Sequence, residues 1–145
     1  MKTQRRIQIV CVAILMLNFV SAQKKLSPAA VTNGQINGAS IVINYSSPFV
    51  KGRKIWGELV PFDKVWRAGA NKATTFETDK ELIVEDSKLP AGKYSFFVIP
   101  SEKECVIIFN KDAKQWGAFK YNEAEDQLRI TVKQKIRHSI TESLV

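Results

Sequence analysis

The sequence predicts an all-β protein, a two-layer antiparallel β-sandwich of the jelly-roll or Ig-like kind that carries one long loop rich in tryptophan and glycine. Short segments rich in Val, Ile, Thr, Tyr and Phe recur between turn residues. Helical periodicity is nearly absent. The chain has 145 residues, of which 45% are hydrophobic, and this suits one domain with its own core. About eight short strands without internal repeats favour a sandwich over a closed barrel.

The first element along the chain is typical of an export signal. Three cations precede an almost uninterrupted apolar stretch over residues 7–20, and small residues follow it. The apolar stretch is about 14 residues long, which is shorter than the roughly 20 residues needed to span a bilayer. We therefore expect residues 1–22 to be a secretory signal peptide. The protein is then periplasmic or extracellular, with no stable membrane insertion after cleavage.

Cleavage of that segment changes both the charge and the cysteine content. Basic residues outnumber acidic residues by 22 to 14, and because three of the cations precede residue 22 the remainder carries 19 against 14. This modest excess, without a recognised motif, does not indicate nucleic-acid binding. Cys105 is the only cysteine left, so we expect no intramolecular disulfide and a thiol that packs as a small apolar group.

Turn residues locate the next strands. Asn37-Gly38 predicts a two-residue hairpin, because a type I′ turn needs positive φ at both central residues. Residues 40–45 then alternate between apolar and polar in strand fashion. Residues 74–78 and 81–85 are predicted to be two further short strands.

The second half of the chain supplies the predicted core. Residues 90–92 form a Pro-Ala-Gly turn. Residues 93–100 and 105–109 are apolar on successive positions, as expected for strands that are buried on both faces. Residues 128–133 alternate cleanly, which predicts a strand with one wet face near an edge of the sheet.

Residues 46–71 break the strand pattern. Long ordered connections are uncommon and usually functional. This one contains two Trp and two Phe, and leaving them in water would cost about 25 cal/mol per Å² of exposed apolar surface, so we expect the loop to pack. In one interpretation, Trp56 and Trp66 close one end of the sandwich. In the other, Trp66, Arg67 and Asn71 lie at the mouth of a pocket for a sugar or an anion. The candidate ligand-binding residues are Trp56, Trp66, Arg67 and Asn71.

The sequence contains little of the usual chemistry of enzymes. His138 is the only histidine, so a multi-histidine metal site is excluded and a catalytic triad is disfavoured. We expect no metal, no cofactor and no catalytic residue. Glu58, Asp63 and Glu77 could still form a carboxylate pair of the glycosidase type, which needs a separation of roughly 5 to 10 Å across a cleft.

Several motifs occur in a fixed order in the mature chain. Together they resemble the DUF2911 family over about residues 27–133, and the resemblance implies an exported protein of Bacteroidetes-type bacteria with no known reaction. The motifs are Ile43-Asn44-Tyr45-Ser46-Ser47-Pro48, residues 50–57 (VKGRKIWG), Leu59-Val60-Pro61, residues 65–71 (VWRAGAN), Ala73-Thr74-Thr75-Phe76, residues 89–95 (LPAGKYS), Ile107-Ile108-Phe109-Asn110 and Gln115-Trp116-Gly117.

Residues 134–145 differ from the family, whose members continue with more strand-forming sequence. We expect a truncated or frame-shifted, poorly packed tail. The expected organisation is a signal peptide at 1–22, a polar leader at 23–32, the domain at 33–133 and a divergent tail at 134–145. The favoured function is noncatalytic binding of a glycan or a small anionic ligand. A structural or interaction module of the cell envelope is the alternative, and a carboxylate-dependent glycoside hydrolase is the weaker one.

Overall fold

A computed structural model describes residues 27–133. The predicted signal peptide and the divergent tail lie outside the described residues. Within them are eight strands and a short 3₁₀ helix at Glu123–Glu125. The strands are β1 (Ala29–Ile36), β2 (Ala39–Ser46), β3 (Thr74–Thr78), β4 (Leu82–Val84), β5 (Ser87–Leu89), β6 (Gly92–Pro100), β7 (Glu104–Asn110) and β8 (Asp126–Lys133).

Two antiparallel sheets of unequal size form the molecule. The large sheet has the strand order β1-β2-β3-β6-β7-β8, and β4 and β5 form a separate hairpin. Every neighbouring pair is antiparallel. The prediction of an all-β antiparallel sandwich is therefore confirmed. The predicted core strands, β6 and β7, lie side by side inside the large sheet, and β8 lies at its edge with alternating burial.

The hairpin of β1 and β2 follows from its turn. Asn37 has a φ of 49° and Gly38 a φ of 78°, so both central residues adopt the left-handed conformation that the dipeptide predicts. Strand β1 is the other edge of the sheet and is largely exposed. It begins at Ala29, so the predicted boundary between leader and domain, at residues 32 and 33, falls inside a strand.

Among residues 27–133, the hydrogen-bond register leaves every second residue of β1 without a backbone partner at the edge of the sheet. The Ser47 amide donates to the Pro28 carbonyl at 3.0 Å, and Ser47 lies opposite Pro28 in the register of the two strands. Because hydrogen-bonded and non-bonded pairs alternate in an antiparallel ladder, the even-numbered residues of β1 bond to β2. The backbone groups of Ala29, Val31, Asn33 and Gln35 therefore point away from the sheet.

The small hairpin covers one face of the large sheet. Leu82 and Leu89 are buried there against Ile41, Tyr94 and Phe109. Phe109 makes edge-to-face contacts with three aromatic rings, with centroid distances of 5.3 to 6.3 Å. These contacts make Phe109 the centre of the larger core cluster.

The opposite face has a smaller core that irregular segments cover. Phe97 and Ile108 are fully buried there, packed by Val65 from one long connection and by Tyr121 from another. The first connection, residues 47–73, is joined to the sheet through its backbone. The Trp66 amide donates to the Val98 carbonyl at 2.8 Å, and the Val98 amide donates to the Trp66 carbonyl at 2.9 Å. Trp66 therefore extends the sheet beside β6. Within residues 27–133, no helix is both long and apolar enough to cross a membrane.

Candidate functional site

A groove of about 910 Å³ opens on the large sheet at the side of β1. Its residues come from β1, β2, the start of β3, β6 and two irregular segments, so it is a product of the tertiary fold. A concave site with a mainly apolar lining and a few polar groups is the usual form of a small-molecule site. The lining residues are Ser27, Ala29, Ala30, Val31, Asn44, Tyr45, Ser46, Asn71, Lys72, Ala73, Thr75, Lys93, Ala113, Lys114, Gln115 and Trp116.

The floor of the groove is the face of the sheet that the smaller core leaves uncovered. Side chains on one face of a strand alternate along it, so Val31, Asn44 and Thr75, which pair across three strands, lie side by side. The Asn44 amide donates to the Thr75 hydroxyl at 3.4 Å. The floor therefore offers amide and hydroxyl groups beside an exposed apolar side chain.

Two irregular segments join to form one wall. The Ala73 amide donates to the Gln115 carbonyl at 3.0 Å, and the Gly117 amide donates to the Asn71 carbonyl at 3.1 Å. These bonds flank an isolated bridge between Lys72 and Trp116. Trp116 is held there by its backbone while 62% of the residue stays exposed. A large aromatic ring at the rim of a groove is a ready surface for stacking.

A buried polar network fixes the segment that carries Trp116. Asn110 is fully buried, and its Oδ1 accepts hydrogen bonds from the Asp112 amide at 3.2 Å and from Gln115 Nε2 at 2.8 Å. Its Nδ2 donates to the Asn122 carbonyl at 2.9 Å and to Asp126 Oδ1 at 2.8 Å. A buried amide with all its partners present specifies one loop conformation.

The same network extends to a tyrosine and an arginine behind the groove. The Tyr121 hydroxyl donates to Asp126 Oδ2 at 2.6 Å, and Arg129 Nη1 donates to Asp126 Oδ2 at 2.9 Å and to the Tyr121 oxygen at 2.7 Å. Burial, and then the bond to Asp126, raises the pKa of Tyr121 well above its ordinary value. The bond to Asp126 is the main cause that raises the pKa of Arg129.

Positive charge lines the groove. Lys72, Lys93 and Lys114 belong to the lining, and none of the lining residues in the described part of the chain is acidic. Lys93 is neutralised by Glu77, whose carboxylate lies 2.9 Å from the ammonium nitrogen. Within residues 27–133, Lys72 and Lys114 form no ion pair, so they supply the net positive charge of the site.

The structure brings the four predicted ligand-binding residues together only in part. Asn71 lines the groove, has a φ of 61°, and donates to the Ser27 carbonyl at 3.3 Å. Trp56 and Trp66 contact each other edge to face, with ring centroids 5.7 Å apart, outside the lining. Arg67 is also outside it, and its buried Nε has no hydrogen-bond partner within the described residues.

The three candidate carboxylates do not line the groove. Glu58 forms an exposed ion pair with Lys54 at 3.2 Å, and Glu77 pairs with Lys93. Asp63 lies in the long connection, with its amide bonded to the Pro100 carbonyl at 2.8 Å. Over residues 27–133, no group of three His, Cys, Asp or Glu side chains could hold a metal ion.

The residues that sequence reasoning missed are Lys72, Lys114, Trp116 and the strand residues of the floor. Trp116 stands in Gln115-Trp116-Gly117, one of the motifs that resemble the family, and this motif is the signal that could have found it. Asn44 and Thr75 also stand in such motifs, but no local pattern shows that they meet, because they do so only when β2 pairs with β3.

Comparison with known proteins gives a family and no function. A family model described as a protein of unknown function, DUF2911, matches residues 27–145. The match includes residues 134–145, which were expected to form a divergent tail. The division of the chain into signal peptide, leader, domain and tail remains a prediction. No curated protein and no solved structure matches the chain.

Proposed function

The chain belongs to the DUF2911 family, whose function is unknown, and we propose that the groove binds a glycan that carries an acidic group. The observation that carries this proposal is the combination, on one concave surface, of an exposed indole with two lysines that form no ion pair within the described part of the chain. An indole stacks on the apolar face of a sugar ring, and an ammonium group attracts a carboxylate or a phosphate. The function is noncatalytic.

The polar groups of the floor suit the hydroxyls of a sugar. Asn44, Asn71 and Thr75 offer amide and hydroxyl groups, and a hydroxyl both donates and accepts a hydrogen bond. Such groups fix the orientation of a ligand, while the apolar lining supplies most of the contact area. We also propose that the protein is exported, as the segment at residues 1–22 predicts, and meets its ligand in the periplasm or outside the cell.

Calorimetric titration with two oligosaccharides of equal length tests the proposal. One is a trisaccharide of glucuronic acid and the other a trisaccharide of glucose. We expect the acidic sugar to bind at least tenfold more tightly at low salt and to lose affinity as salt is added. Stacking that buries about 80 Å² of Trp116 contributes about 2 kcal/mol, so Trp116→Ala should weaken binding by roughly 30-fold.

Phe119 supplies the matched control. It lies on the same connection as Trp116, is 85% exposed and does not line the groove. Phe119→Ala should leave the affinity unchanged, whereas Lys114→Ala should reduce the preference for the acidic sugar. Equal binding of the two sugars, or an equal loss in both aromatic variants, would contradict the proposal.

A further inference from the structure

A second surface of the protein exposes large apolar side chains outside the groove. Phe49, Val50, Trp56 and Leu59 are 55%, 57%, 50% and 49% exposed, and all four fall within residues 49–60, which we call the apolar loop. None of them lines the groove. Soluble monomers rarely concentrate apolar groups in this way unless the surface meets a membrane or another molecule.

The backbone of the apolar loop builds this exposure. Lys51 and Gly52 both have positive φ in a tight turn, and the Arg53 amide donates to the Val50 carbonyl at 3.1 Å. The Arg53 guanidinium also donates to the carbonyls of Phe49 at 2.6 Å and Val50 at 3.1 Å. The first two apolar side chains therefore flank a turn that its own hydrogen bonds hold.

A second turn holds the other two side chains. The Val60 amide donates to the Ile55 carbonyl at 2.9 Å, and the Gly57 amide donates to the Val60 carbonyl at 3.0 Å. Val60 is buried and anchors this turn, while Trp56 and Leu59, on the same turn, stay half exposed. Both turns fix their backbones without burying these apolar side chains, so the exposure follows from the hydrogen-bonded conformation of the loop.

The charges around these side chains indicate the chemistry of the partner. Lys51, Arg53 and Lys54 belong to the apolar loop itself, and its one acid, Glu58, pairs with Lys54 at 3.2 Å. Cations interleaved with aromatic and aliphatic side chains suit the interface of an anionic bilayer. There Trp favours the headgroup level, and each cation near the surface contributes to attraction.

We propose that the apolar loop adsorbs to the surface of an anionic lipid bilayer, with Phe49, Val50, Trp56 and Leu59 entering the headgroup region. This adsorption is peripheral and differs from the insertion of a spanning helix. It rests on side chains that the groove does not use, and so it stands independently of the proposed glycan binding.

Cosedimentation with lipid vesicles tests the proposal in the full chain. One set of vesicles contains phosphatidylcholine and phosphatidylglycerol at a ratio of about 7:3, and the other contains phosphatidylcholine alone. The protein should partition at least tenfold better onto the anionic vesicles. The double variant Phe49→Ser/Val50→Ser should lose at least tenfold of that partitioning. Lys51→Glu should reduce it at low salt, with a smaller reduction at high salt.

Ile83→Ser is the matched control, since Ile83 is 63% exposed on β4, outside the apolar loop. It should partition like the parent. Thermal unfolding of the parent and the variants checks that each is folded, and because the replaced side chains are exposed we expect equal Tm values. Unchanged partitioning of the double variant would overturn the proposal and assign any vesicle binding to another segment. Analytical ultracentrifugation tests the other occupant of this surface. If the parent is a dimer and the double variant a monomer, with equal partitioning onto vesicles, the apolar loop binds a second copy of the chain and the proposal is overturned.

Discussion

Replacement of Asn110 by Asp tests whether the buried network holds the wall of the groove. The change keeps the size of the side chain and its acceptor for the Asp112 amide and for Gln115. It removes the donor that faces the Asn122 carbonyl and Asp126 Oδ1, at 2.9 and 2.8 Å. Each acceptor that loses its donor in this partly buried site costs about 1 to 3 kcal/mol, so the two together cost about 4 kcal/mol.

The same substitution creates a dependence on pH. A buried carboxyl at hydrogen-bond distance from Asp126 has its pKa raised, because burial and the neighbouring negative charge both disfavour its ionised form. The protonated carboxyl has one O–H, so it restores one of the two hydrogen bonds that the amide donated. The loss of stability should therefore be smaller near pH 4, where this carboxyl is protonated in the folded state, and grow as the pH rises toward neutrality through its raised pKa.

Urea unfolding and thermal unfolding, both followed by circular dichroism, measure this effect at pH 4.5 and pH 7.5. At the higher pH we expect the free energy of unfolding to fall by about 4 kcal/mol and the Tm to fall by about 15 °C or more. Both losses should be smaller at the lower pH. Asn122→Asp is the control. Its side chain is exposed and only accepts from the Ala124 amide at 3.1 Å, which a carboxylate also does. A loss below about 1 kcal/mol in Asn110→Asp, or one that does not shrink at low pH, would refute the reasoning.

Three further substitutions, one of them with a control, test single features of the fold. Gly69→Ala should destabilise by about 1 to 3 kcal/mol in urea unfolding, since a Cβ there would lie 3.0 Å from the Ser46 carbonyl oxygen; Gly34→Ala, with no atom within 4 Å, should not destabilise. Asp86→Gly should raise stability by about 0.5 to 1 kcal/mol in the same assay, because its φ of 63° favours glycine. The raised pKa of Tyr121 means that stability is lost as pH rises above 10.0; Tyr121→Phe should flatten this loss in Tm measured between pH 8 and 11.

The parts of the fold that could be predicted are those with local chemistry. The turn at Asn37-Gly38 forms because both residues tolerate positive φ. Strands β6 and β7 contain the continuous apolar runs 96–100 and 105–109, and such runs have few alternatives to the centre of a sheet. Strand β5 escaped prediction because Ser87-Lys88-Leu89 has one apolar residue, and its turn uses Glu85-Asp86, both with positive φ, in place of the usual Asn or Gly.

The candidate site was less predictable because its parts are distant in the chain. Of the four candidates in the long connection, Asn71 lines the groove, but both indoles lie outside its lining. Trp116 reaches the groove through a bridge to Lys72, a pairing that no local pattern encodes. Tertiary pairing of this kind fixes where a side chain lies, whereas composition only indicates that it is unusual.

The free edge of β1 divides one strand into two populations of amide protons. Those of Thr32, Gly34 and Ile36 are engaged with β2, whereas those of Val31, Asn33 and Gln35 have no backbone partner within residues 27–133. In deuterium oxide the amide protons without a partner should therefore exchange quickly and those bonded to β2 slowly. The exchange rates along β1 should alternate from residue to residue and so report the register of this strand pair.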